Sequence, residues 1–151
     1  MAAMGAVSAD QLLRLPVRVR GIDIGNAVDV LVDTDGWRAL GLDVLCRDDT
    51  HRFLPLTAAV LHPSEISVSS ALTLLAEGEL GFYRRRASSL RELRAQPVLQ
   101  GRRTVGVLDD ILVSPDGRIA ELVVRNGRET ATLPANGAVR VVAGSSSISA
   151  A

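Results

Sequence analysis

The feature that most constrains the fold is an internal repeat of a short, glycine-bounded segment. Residues 25–36 are G-N-A-V-D-V-L-V-D-T-D-G, and residues 106–117 are G-V-L-D-D-I-L-V-S-P-D-G. Each copy begins with Gly, contains an apolar run beside an Asp and ends in Asp-Gly. A Leu-Pro pair follows each copy, at 54–55 and at 133–134. Because such self-similarity is the sequence pattern of repeated structural units, the repeat predicts two related β units.

Alternating and β-branched residues separated by turn residues predict strands in both copies. The predicted strands are 17–20, 22–32, 37–45, 52–56 and 66–72 in the first copy, and 104–113, 119–125, 130–133 and 139–142 in the second. Predicted turns lie at 33–36, at 114–117, where Pro and Gly suit a type I turn, and at 126–127. Pro55 indicates the edge or the end of a sheet. A Ser-x-x-Glu pattern at 89–92 predicts a short helix that ends before Pro97.

The length of the chain favours two repeats packed together. A chain of 151 residues fits one domain or two very small ones, and half of it would be marginal alone. We therefore predict an all-β protein of two small barrel-like repeats with a short, partly helical connector. The expected segments are a flexible N-terminal arm (1–15), a first repeat (16–72), an Arg-rich connector (73–95), a second repeat (96–143) and a disordered tail (144–151).

Composition excludes several classes of function. Seventeen basic residues balance 17 acidic ones, so no global field draws the chain to nucleic acid or to an anionic membrane. Cys46 is the only cysteine, so no intrachain disulfide forms and a cytoplasmic location fits. The N-terminal residues lack the pattern of a signal peptide, and no apolar stretch approaches the length of a transmembrane helix.

The repeat resembles the PRC-barrel family. The resemblance rests on a Gly, a strand such as 107–113 (V-L-D-D-I-L-V), an Asp-Gly turn, a strand such as 117–124 (G-R-I-A-E-L-V-V) and the Leu-Pro pair. The second copy is the closer match, and the first has an apparent extra residue after Trp37. The resemblance covers roughly residues 16–143 and implies a small β-barrel that binds proteins or supports assembly. The family has no shared catalytic residues to transfer.

Patterns that carry chemistry are incomplete. The chain has neither G-x-S-x-G nor a phosphate-binding glycine loop. Cys46, Asp48, Asp49 and His51, followed by His62, lack the paired spacing of zinc ligands. The acidic turn at 33–36 lacks the further ligands of a calcium loop. We therefore assign no catalytic, cofactor-binding or metal-binding residue and expect no enzyme activity.

The Arg-rich connector is the candidate binding surface. Arg side chains form forked hydrogen bonds with carboxylates and phosphates, although a solvated connector with Arg–Glu pairs is an open alternative. Trp37 has two interpretations, a core residue at one end of the barrel, which we favour, or a surface anchor. The predicted partner-binding residues are Tyr83, Arg84, Arg85, Arg86, Arg91, Arg94 and Trp37.

The sequence therefore predicts a non-catalytic cytoplasmic adaptor or assembly module that binds another protein or complex, which could itself be membrane-associated. One alternative is an RNA- or ribosome-associated factor, which the scarcity of aromatic side chains disfavours. Another is a small metal protein or enzyme. Edge strands of small barrels often pair, so a homodimer is compatible with the sequence.

Overall fold

A computed structural model describes residues 5–70, 73–74, 81, 83, 85 and 87–142. The strands in chain order are β1 (Val7–Ser8), β2 (Pro16–Val19), β3 (Ile22–Asp33), β4 (Arg38–Cys46), β5 (His51–Pro55), β6 (Ala59–Leu61), β7 (Ile66–Val68), β8 (Ser88–Ser89), β9 (Pro97–Gln100), β10 (Arg103–Val113), β11 (Ile119–Asn126), β12 (Glu129–Pro134) and β13 (Val139–Val141). The other elements are two one-turn helices, α1 (Ala9–Leu12) and α2 (Leu90–Leu93), and a 3-10 turn (Leu56–Ala58); Gly81, Tyr83 and Arg85 are also helical. The all-β prediction is confirmed.

The strands form two sheets. One has the order β5-β4-β3-β2-β7-β6, and β8 also pairs with β3. The other has the order β12-β11-β10-β9-β13, and β1 also pairs with β10. One of the sheets curls into a half-barrel. We call residues 16–68 the first half and residues 97–141 the second half.

The predicted turns at 33–36 and 114–117 are confirmed by their hydrogen bonds, whereas the third turn lies at 127–128, one residue later than predicted, because Asn126 ends β11 and pairs with Glu129. The Gly117 amide donates to the Ser114 carbonyl over 2.8 Å, which closes the turn between β10 and β11. In the first half, the Asp35 amide donates to the Asp33 carboxylate over 3.0 Å. Gly127 has a φ of +66°, a conformation that glycine adopts without strain. These local bonds explain why the turns could be located from sequence.

One hydrophobic core joins the two halves. The cluster includes Leu42 and Leu54 from the first half together with Ile111 and Leu122 from the second, each 0% exposed. Each fully buried side chain of this size contributes about 1.5–3 kcal/mol to folding. Because the cluster is continuous, the halves are packed together rather than separated.

The N-terminal segment differs from the predicted flexible arm. Val7 and Ser8 pair with β10, and Ala9 and Leu12 of α1 are completely buried. The physical reason is the cap on α1, where the Ser8 hydroxyl accepts a hydrogen bond from the Gln11 amide over 3.1 Å. This cap lets a short, partly apolar segment pack as a helix.

Part of the predicted connector is also packed structure. The predicted capping box at the start of α2 is confirmed, because Ser89 and Glu92 exchange side-chain and backbone hydrogen bonds. We call β1–α1 (Val7–Leu12) the N-terminal cover segment and β8–α2 (Ser88–Leu93) the central cover segment. The N-terminal cover segment precedes the first half but pairs with β10, and the central one precedes the second half but pairs with β3. The predicted tail from residue 144 lies outside the described residues.

Candidate functional site

A cavity of about 470 Å³ with both polar and apolar lining residues lies between the central cover segment and the sheet of the first half. Cavities of 300–1,000 Å³ are typical of ligand-binding sites. We call it the Asp43 cavity. Its lining residues are Val28, Asp29, Asp43, Leu45, His51, Ser89, Arg91 and Glu92.

Strand register places the polar side chains of the sheet on one face. Asp29 of β3 is paired with Asp43 of β4, and Leu45 of β4 is paired with His51 of β5. Residues paired directly across a sheet, and residues two apart along a strand, share a face. A bulge between Ala27 and Asp29 brings Asp29 into this register. The two carboxylates and the imidazole therefore converge on the cavity.

Asp29 binds the central cover segment to the sheet. It is 4% exposed, and its carboxylate accepts hydrogen bonds from the Ser89 hydroxyl at 2.6 Å, the Arg91 amide at 3.2 Å and its neighbouring Val30 amide at 2.9 Å. Hydrogen bonds to an ionised group are stronger than neutral ones and satisfy a buried charge. Asp29 therefore forms one wall of the cavity and fixes the position of α2.

His51 and Asp43 form the second polar pair. The Asp43 carboxylate lies 2.9 Å from Nδ1 of His51, and the Asp43 side chain is 2% exposed whereas that of His51 is 43% exposed. A carboxylate accepts hydrogen bonds, so Nδ1 carries the proton in this pair and Nε2 is the acceptor of a neutral ring. The buried carboxylate thus orients a ring that is open to solvent at the cavity.

Ser89 is not arranged as a nucleophile. Its hydroxyl donates to Asp29 and also accepts the Glu92 amide at 3.4 Å as the cap of α2. A serine nucleophile needs its proton directed at a base such as His51. The geometry therefore gives no support to Ser89 as a nucleophile.

The corresponding positions of the second half have different chemistry. Asp110 pairs with Val123 where Asp29 pairs with Asp43. Thr130 of β12 occupies the register position of His51. The His–Asp pair is therefore specific to the first half. In the second half these positions are occupied by the apolar Val123 and the neutral Thr130. A sheet with this strand register can therefore fold without a His–Asp pair.

An apolar cluster lies beside the cavity. The ring of Phe53, which follows His51 in β5, stacks on the ring of Tyr83 with centroids 4.2 Å apart and an interplanar angle of 15°. Gly41 leaves room for the Phe53 ring, since a Cβ at this position would overlap it. Tyr83, predicted as a partner-binding residue, is therefore half-buried against the first half.

The prediction of Trp37 as a partner-binding residue is wrong, because the side chain is in the core. Trp37 is 4% exposed, and its indole Nε1 donates to the Val139 carbonyl over 3.3 Å. A buried indole with its N–H satisfied contributes area to folding rather than to an interface. The favoured interpretation, a core residue, is the one that the structure supports.

The predicted arginines have separate positions. Arg91 is exposed and lines the Asp43 cavity, and Arg85 is exposed. Arg94 instead lies 3.5 Å from the Asp110 carboxylate in the second half. Arg84 and Arg86 lie outside the described residues. Of the described arginines, Arg91 is the one that belongs to the cavity.

The loop that contains Cys46 is divided between two cavities. Cys46 and Asp48 line a separate cavity of about 410 Å³, whereas His51 faces Asp43. Burial, reinforced by the charge of Asp48, raises the pKa of the Cys46 thiol. A hydrogen bond from Thr50 lowers the pKa of Asp48. Within the described residues, no three His, Cys, Asp or Glu side chains form a group that could hold a metal ion.

Sequence analysis missed Asp29 and Asp43 as site residues. The available signal was Asp43 itself, a charged residue within the otherwise apolar run G-L-D-V-L-C of residues 41–46. A charge that replaces an apolar residue in a predicted strand needs a partner, since burial of an unpaired charge is costly. The sequence analysis considered His51, but it grouped His51 with Cys46 and Asp48 rather than with Asp43.

Comparison with known proteins found no family model and no curated protein that matches this chain. The described residues contain no helix that is long and apolar enough to cross a membrane. The resemblance to PRC-barrel proteins therefore stays a prediction from sequence.

Proposed function

We propose that this protein is a non-catalytic cytoplasmic adaptor that binds a partner protein at the Asp43 cavity. The observation that carries the proposal is the pairing of the buried Asp43 with the solvent-exposed His51 in the first half, which has no counterpart at Val123 and Thr130. Polar groups that folding does not require and that converge on a cavity are typical of a binding site. The predicted likeness to PRC-barrel proteins leads to the same expectation.

The charges at the cavity favour a basic side chain of the partner. Asp29, Asp43 and Glu92 contribute three carboxylates, against one guanidinium from Arg91. A Lys or Arg side chain would exchange hydration for hydrogen bonds to ionised acceptors, each worth about 1.5–3 kcal/mol. The half-buried free thiol of Cys46 is compatible with the reducing cytoplasm in which we place the adaptor.

Site-specific photo-crosslinking in the native host tests this proposal. A photoreactive residue replaces Arg91 at the cavity or, as a matched control, Asp10 at the same position of α1. We expect a discrete crosslinked protein from position 91 and none from position 10. The double variant Asp43→Val/His51→Thr, which introduces the residues of the second half, should reduce the crosslink at least tenfold, equivalent to about 1.4 kcal/mol.

Two outcomes would overturn the proposal. One is a crosslink at position 91 that the double variant leaves unchanged. The other is a crosslinked species that ribonuclease removes, which would support the RNA-associated alternative. A circular dichroism spectrum of the double variant that matches the parent spectrum ensures that loss of the crosslink reports on the cavity.

A further inference from the structure

We infer that the two halves of this chain exchange between two copies, so that a second copy binds at the same surfaces that join the halves within one chain. The first observation is the reciprocal position of the cover segments. Strand β1 is continuous with the first half and pairs with β10, while β8 is continuous with the second half and pairs with β3. Each half therefore completes its sheet with a strand from the other. This inference does not depend on the function of the Asp43 cavity.

The hydrogen bonds of the cover segments are also reciprocal. The Asp10 amide of α1 donates to the Asp110 carboxylate at 3.3 Å, and the Arg91 amide of α2 donates to the Asp29 carboxylate at 3.2 Å. Asp10 and Arg91 occupy the same position of their helices. Asp29 and Asp110 each accept the amide of the residue that follows them as well. The same hydrogen-bond arrangement thus occurs twice: an Asp of the second half binds the N-terminal cover segment, and an Asp of the first half binds the central cover segment.

A third contact joins the two halves at their hairpin turns. The Ala39 amide donates to the Gly117 carbonyl at 2.7 Å, and the Ile119 amide donates to the Trp37 carbonyl at 2.9 Å. These bonds flank an antiparallel bridge between Arg38 and Arg118. In this contact, too, each half donates one backbone hydrogen bond to the other half.

These three contacts do not require the joined halves to belong to the same molecule. In an exchanged dimer, the first half of each chain packs on the second half of the other, and every contact above is kept. Such swapping is a low-cost route to dimers because no new interface is needed. Within one chain, the segment that connects the halves holds them at an effective concentration in the millimolar range. The exchanged dimer is therefore expected when the protein concentration is high.

The stack of Tyr83 on Phe53 of the first half is a further contact of this kind. The Ala87 amide donates to the Tyr83 carbonyl at 2.9 Å, so Tyr83 is joined to the start of the central cover segment and moves with it. In the exchanged dimer, Tyr83 therefore stacks on Phe53 of the other copy.

Disulfide trapping in the full-length chain tests the exchange. In a Cys46→Ser background, Arg38→Cys/Arg118→Cys places a cysteine pair across the bridge between the halves. As the matched control, Asp33→Cys/Arg38→Cys places a pair within the first half. Each protein is refolded over a range of concentrations under reducing conditions and then oxidised. Covalent dimers are measured on a non-reducing gel.

We expect covalent dimer in the inter-half variant alone. While monomer predominates, its ratio to monomer should increase about tenfold for each tenfold rise in protein concentration, as mass action requires. The inference is overturned if the inter-half variant gives no more dimer than the control. It is also overturned if the dimer ratio is independent of concentration.

Discussion

The carboxylates that hold the two cover segments should differ in their contribution to stability. Asp29→Ala removes the acceptor for the Ser89 hydroxyl at 2.6 Å and for the Arg91 amide at 3.2 Å. Asp110→Ala removes the acceptor for the Asp10 amide at 3.3 Å and for Arg94 at 3.5 Å. We expect Asp29→Ala to be the more destabilising substitution.

The expected size of the difference follows from these distances. Both carboxylates also accept the amide of the following residue, so this contribution cancels in the comparison. A hydrogen bond to an ionised group contributes about 1.5–3 kcal/mol, and a donor left buried without a partner costs about 1–3 kcal/mol. The short Ser89–Asp29 bond is replaced at Asp110 by a long bond to Arg94, whose side chain is 35% exposed. We expect losses of about 3–4 kcal/mol for Asp29→Ala and about 1–2 kcal/mol for Asp110→Ala.

Urea unfolding measures both losses. Trp37 is the only tryptophan and is buried, so its fluorescence and the far-ultraviolet circular dichroism report on the same transition. Asp116→Ala is a suitable control, since this exposed carboxylate accepts one amide, that of Arg118, and its loss should cost under about 1 kcal/mol. Equal midpoints for the Asp29 and Asp110 variants, or a larger loss at Asp110, would refute the argument.

Three further substitutions or titrations test other parts of the structure. Gly41→Ala should lower the free energy of unfolding by about 1–3 kcal/mol through overpacking against Phe53, and unchanged thermal unfolding would contradict this. Trp37→Phe should cost about 1 kcal/mol, because the Val139 carbonyl loses a buried donor; a variant as stable as the parent in urea would contradict this contact. Because burial raises the pKa of Cys46 and only the thiolate reacts, its alkylation by iodoacetamide should require a higher pH than alkylation of an unstructured cysteine peptide. A midpoint at or below that of the peptide would be contrary evidence.

Local features of the fold were predictable, and the reason is that short-range chemistry determines them. The turn at 114–117 depends on Pro and Gly within four residues, and the cap of α2 depends on Ser89 and Glu92. Pro55 ends β5, which is an edge strand as predicted. Each of these signals is contained in a window shorter than one hairpin.

The pairing of each cover segment with the opposite half was missed, because the partner strands are distant in the chain. Val7 pairs with Val113, and no local pattern specifies such a pairing. A local signal for α1 did exist, since Ser8 and Gln11 have the spacing of a capping box. The Asp43–His51 contact likewise depends on the register of β4 and β5, which determines the face that each residue occupies. Sequence spacing alone grouped His51 with Cys46 and Asp48 instead.

The reciprocal cover segments have a consequence for folding during synthesis. A chain emerges from the ribosome N-terminal end first. β1 has no partner until the residues of β10 have been made, and Asp29 has no helix to hold until α2 appears. Each half is therefore incomplete while the other is absent, and the core closes only when most of the chain is available. We expect translation intermediates of this protein to expose β1 and the edge of β3 that β8 later covers.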